Sequence, residues 1–70
     1  MFVYEIVGIS EIDKKGLLIL HLKYTTKNCE GYAVESIFVK EDFIEGTAKC
    51  GELCRVYRNS KGYVIGVEIV

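Results

Sequence analysis

The last twenty residues, Gly51 to Val70 (GELCRVYRNSKGYVIGVEIV), contain two β-prone runs separated by Arg58-Asn59-Ser60-Lys61-Gly62. So short a break, ending in glycine, commits the two runs to an antiparallel hairpin. Gly62 can take the positive φ that closes a type I turn with a bulge. On the return strand Tyr63, Ile65, Val67 and Ile69 form an apolar stripe expected to face the core. Gly66 lies on the opposite face, where it tolerates close backbone approach or bending.

The rest of the chain has the same period of two. Phe2, Tyr4 and Ile6 alternate against Val3, Glu5 and Val7, and Ser10 to Gly16 reads as a turn. In Leu17 to Thr26, Leu18, Leu20, Leu22 and Tyr24 share the face assigned to the core, opposed by Leu17, Ile19, His21 and Lys23. Thr25 to Gly31 is a second turn cluster. In Tyr32 to Lys40, Ala33, Glu35, Ile37 and Val39 oppose Tyr32, Val34, Ser36 and Phe38. Neither face is purely apolar, which predicts a bulge or a covered outer face. Glu41 to Gly46 suits one helical turn, with Phe43 and Ile44 dipping inward. Strands four and five are expected at about Glu52 to Arg58 and Tyr63 to Val70.

Five short strands in 70 residues predict an all-β, partly open OB-like barrel, because closure removes the exposed edges of a flat sheet. The helical turn between strands 3 and 4 favours this over the alternative, an SH3-like barrel, which places its turn later. Residues 1–70 form one domain. A chain this short buries only roughly 60% of its unfolded surface, yet half its residues are apolar. The surplus predicts an oligomer interface, and a homodimer is expected.

No stretch approaches the roughly 20 apolar residues that span a bilayer, and no secretion signal is visible at the start. Cys29, Cys50 and Cys54 are odd in number and unevenly spaced, which predicts reduced thiols and a cytoplasmic protein. Cys50 and Cys54 with Cys29 and His21 have the residue types of a zinc site. Two of those ligands are isolated in sequence, however, and Cys54 alternates with Val56 toward the core. No metal or cofactor is expected. Phosphate loops, dinucleotide fingerprints and catalytic triad spacings are absent, so an enzyme is not expected. So short a chain also leaves little room for a small-molecule substrate pocket.

Formal net charge is −1, but the charges are segregated along the chain. Lys49 to Tyr63 has four basic residues and one acid, whereas Glu30 to Gly46 has one basic residue and five acids. A local positive face is therefore compatible with a low isoelectric point. Tyr57 sits between Arg55 and Arg58 in the cationic hairpin, the arrangement that points toward a polyanionic partner.

Two segments, His21 to Val39 (HLKYTTKNCEGYAVESIFV) and Val56 to Val70 (VYRNSKGYVIGVEIV), add a family resemblance. With Leu20-His21, Gly31-Tyr32-Ala33-Val34-Glu35-Ser36-Ile37-Phe38-Val39, Gly51 and Tyr57-Arg58-Asn59-Ser60-Lys61-Gly62, the chain resembles small phage- and plasmid-encoded single-stranded DNA-binding proteins. Those are similar to the filamentous-phage helix-destabilising protein. The chain departs from the pattern in its shorter first loop, Ser10 to Gly16, and in Arg58, which interrupts a Tyr-Asn pair.

The resemblance implies a sequence-tolerant single-stranded DNA-binding protein of a phage or mobile element, with RNA as the alternative ligand. OB-folds bind across strands two and three, flanked by the one-two and four-five loops. The implied contacts are Lys14, Lys15, His21, Lys23, Arg55, Tyr57, Arg58 and Lys61. Cations would track phosphates while a ring stacks on bases. About four neutralised phosphates would give a log–log salt slope near −3. The alternative is a small β-barrel that binds another protein, for instance by adding a strand at an open edge.

Overall fold

A computed structural model describes residues 3–12 and 16–70. Its strands are β1 (Tyr4–Ile12), β2 (Leu17–Tyr24), β3 (Ala33–Lys40), β4 (Ile44–Glu45), β5 (Leu53–Arg58) and β6 (Val64–Ile69). They form one sheet in the order β3-β2-β1-β5-β6-β4. Every pairing is antiparallel except β4 with β6.

A 3₁₀ turn, Glu41–Phe43, is all that separates β3 at one sheet edge from β4 at the other. The chain thus passes directly between the two edges and curls the sheet, bringing β3 near β6. This is the all-β, partly open OB-like arrangement, with its helical turn after strand three. The two-residue β4 is a sixth strand beyond the five expected. Ile44 packs against the core as expected, but Phe43 is exposed.

Ile6, Leu20, Leu22, Ile37, Val39, Cys54 and Val67 make the buried core, flanked by half-buried Tyr4, Ile44, Ala48, Val56, Val64 and Ile69. Each fully buried aliphatic side chain contributes about 1.5–3 kcal/mol of transfer free energy. Leu20 and Leu22 occupy the face of β2 that alternation assigns to the core. Tyr4 and Tyr24 meet edge to face at one end of the barrel, with centroids 5.2 Å apart.

Two register shifts redirect side chains. Between Ile6 and Gly8, β1 slips by one residue against β2. Val7 is the extra residue, and beyond it Gly8, Ser10 and Ile12 lie opposite His21, Ile19 and Leu17 on the outer face. The second shift lies at Tyr57/Arg58, where Tyr57 pairs with Gly66 but Arg58 with Val64, so Ile65 is the extra residue. Val64 therefore packs against the core, while Tyr63 and Ile65 are 68% and 54% exposed. The stripe expected to run from Tyr63 to Ile69 is inward only at Val67 and Ile69. β3, where a bulge or cover was anticipated, pairs with β2 in unbroken register and leaves Val34 and Phe38 uncovered. Among the described residues no helix is long and apolar enough to cross a membrane.

Candidate nucleic-acid interface

The β5–β6 turn is built on Asn59. Its side-chain oxygen accepts from the backbone N–H of Lys61 at 2.9 Å and of Tyr63 at 3.0 Å. Gly62, with φ 86°, donates its N–H to the Asn59 carbonyl. These bonds hold the hairpin in the expected shape.

The arginines do not form a free cationic rim. Arg58 forms an ion pair with Glu35 on β3 and donates a second bond to the Gly62 carbonyl at 3.2 Å. Arg55 pairs with Glu68 at 3.2 Å, and the same carboxylate oxygen accepts from the Tyr57 hydroxyl at 3.1 Å. That hydrogen bond is the main cause of a raised Tyr57 pKa. Arg55 and Tyr57 thus sit beside a cleft of about 370 Å³ lined by Asp42, Glu45 and Glu68, an environment that repels phosphate. Folding brings the basic hairpin onto acids that the sequence keeps apart.

A second group assembles on the outer face of β1, β2 and β3. His21 is held between two serines, with Ser10 Oγ 3.0 Å from Nε2 and Ser36 Oγ 2.8 Å from Nδ1. The bulge at Val7 is what turns Ser10 to this face. Gly8 lies opposite His21, and a Cβ there would fall 3.1 Å from the imidazole Cδ2, so glycine leaves the space the ring occupies. Lys23, two residues along, is 3.7 Å from Glu5 and 4.3 Å from the centre of the Tyr32 ring. Opposite Ile19 on the same face is Phe38. Tyr32 is 60% exposed and Phe38 64% exposed.

Of the expected contact residues, His21 and Lys23 share this face, whereas Arg55 and Tyr57 lie on β5. Lys61 is at the exposed hairpin turn. Lys14 and Lys15 fall outside the described residues. Sequence reasoning did not single out Tyr32 and Phe38, the two exposed rings of this face. The signal was there: both alternate against Ile37 and Val39, the residues of β3 that reach the core. Lys40, opposite Leu17 at the end of the same face, was missed as well.

Cys54 is buried in the core, where burial pushes its thiol pKa up, and His21 is already engaged by two hydroxyls. Among the described residues no three metal-ligating side chains come together. Comparison with protein-family models, curated proteins and solved structures returned no match.

Proposed function

We propose that this barrel binds single-stranded DNA with little sequence preference, using the outer face of β1–β3 as its platform. The carrying observation is the pair of exposed rings, Tyr32 and Phe38, on one strand face with His21 and Lys23 beside them. Rings left in water on a regular sheet offer stacking surfaces, and base stacking is tolerant of sequence because every base has a π-face. Among the described residues Lys27, Lys40, Lys49 and Lys61 have no ion-pair partner; Lys40, on the platform's own face, and Lys61, at the hairpin turn, are the two cations proposed to track phosphates.

This placement moves the stacking role from Tyr57 to Phe38 and Tyr32. It also reduces the role of Arg55 and Arg58, whose charges are already met by carboxylates. Anisotropy titration of a fluorescent oligothymidylate at two salt concentrations tests it directly. Binding that weakens in Phe38→Ala and changes little in Arg55→Ala supports the proposal; no binding at low salt refutes it.

A second use of the same sheet follows from β3 itself. It is an eight-residue edge strand, free of proline, and among the described residues β2 is the strand it pairs with along its length. Such an edge accepts an added strand from a partner or from a second copy. A second copy paired along this edge would extend the outer face and leave Phe38 open to bases, so a homodimer is compatible with the platform and remains part of the proposal.

A further inference from the structure

His21 is the one histidine in the sequence, and its surroundings set it apart from a solvated surface imidazole. Each ring nitrogen is within hydrogen-bond distance of a serine hydroxyl, Ser10 from β1 and Ser36 from β3. A hydroxyl rotates to donate or to accept. In the neutral ring one nitrogen donates to one serine, and the other accepts from the second serine. In the imidazolium both nitrogens donate and both hydroxyls accept. The ring therefore takes up a proton without losing either bond and without moving, and the charge appears at a fixed place on the sheet.

The charged groups around that place are few. On the outer face β1 contributes Glu5, β2 contributes Lys23 and β3 contributes Lys40. Glu5 is matched by Lys23 at 3.7 Å, so among the described residues no carboxylate of this face is left over to neutralise an imidazolium. An added positive charge midway between Lys23 and the Phe38 ring would meet a phosphate chain crossing the platform.

We infer that His21 couples DNA binding at this face to proton uptake, so that the imidazolium charge attracts a phosphate crossing the platform and affinity rises with acidity. The inference rests on the proposed DNA-binding reading. Its sign follows from linkage: a ligand preferring the protonated ring raises the imidazole pKa in the complex. The extra affinity is then complete below the pKa of the free protein and is lost as pH rises through that of the complex. Histidine is the side chain whose ordinary titration falls in this range.

The test is oligothymidylate titration at pH 5.5 and 7.5 at constant ionic strength, with wild type and His21→Gln. A parallel NMR titration follows the single imidazole with and without oligonucleotide. Wild type should bind more tightly at pH 5.5, by up to about tenfold for each unit that binding raises the imidazole pKa. His21→Gln should bind equally at both values. Wild-type binding that ignores pH, or an imidazole titration unmoved by oligonucleotide, overturns the linkage and leaves DNA binding standing. Absence of binding at both pH values overturns both. The NMR arm uses wild type alone, so the outcome does not depend on the variant folding.

Discussion

Arg58 at the end of β5 forms an ion pair with Glu35 in the middle of β3, 23 residues earlier in the chain. Glu35 lies opposite Leu22, on the core side of β3. The pair ties the hairpin to the far edge strand. Tyr4 is near both partners, and its phenol pKa is raised mainly by burial and then by the Glu35 charge, with Arg58 acting against them. A residue expected to face phosphate instead fastens two parts of the sheet that are not neighbours in the strand order.

Arg58→Ala should therefore affect stability more than ligand affinity. Both side chains are about one-third exposed, so water screens the pair and the loss is expected to be about 1 kcal/mol. Urea unfolding measures it. A double-mutant cycle with Glu35→Ala should return a coupling energy of the same order, and additive single losses would contradict the clamp.

Phe38→Ala removes a ring that is mostly in water, so the melting temperature should move little. Its effect should appear in oligonucleotide affinity, weakened by about 1–3 kcal/mol if a base stacks there. Tyr57→Ala, whose hydroxyl is bound to Glu68, should cost less affinity. A reversed ranking would return the platform to the hairpin.

Salt dependence should be shallow. Two phosphates neutralised by Lys40 and Lys61 give a log–log slope of about −1.4, against about −3 for the four contacts expected from sequence. Titration across several salt concentrations distinguishes them. A slope near −3 would mean that further cations, released from their carboxylates, join the interface.

Thiol reactivity should divide the cysteines. Cys50 is exposed and Cys29 half-buried, whereas Cys54 is buried in the core. In native protein two thiols should react with Ellman's reagent, and the third only on unfolding. Burial raises the Cys54 pKa, so its neutral thiol contributes stability that is present below the unfolded value. That stability is lost as pH rises through the folded value. Three fast thiols at neutral pH would show that the core admits reagent.

Sedimentation at high protein concentration tests the second copy. A dimer is expected, and Val34→Lys, which puts a charge on the β3 edge strand and leaves Phe38 in place, should shift the equilibrium toward monomer if two β3 edges pair. A monomeric wild type would leave that edge to another partner.

Local chemistry carried much of this structure in readable form. Leu20 and Leu22 alternate with His21 and Lys23, and the structure buries the first pair and leaves the second on the outer face. Asn59 and Gly62 mark the hairpin turn because only certain residues suit its bonds and its positive φ. The polar break at Glu41 to Gly46 marked the helical turn between strands three and four. Period, turn propensity and φ are properties of neighbouring residues, and one sequence is enough to read them.

The bulges at Val7 and Ile65 belong to another level. Each arises where a strand must match two partners or bend with the barrel, and the slip reverses the outlook of every residue beyond it. That is why Tyr63 and Ile65 point outward and Ser10 reaches His21. The pairing of Arg58 with Glu35 and of Arg55 with Glu68 likewise depends on which strands become neighbours. Alternation and turns were written along the chain; the facing of Ser10, the exposure of Tyr63 and the neutralisation of the arginines were decided by register between distant strands.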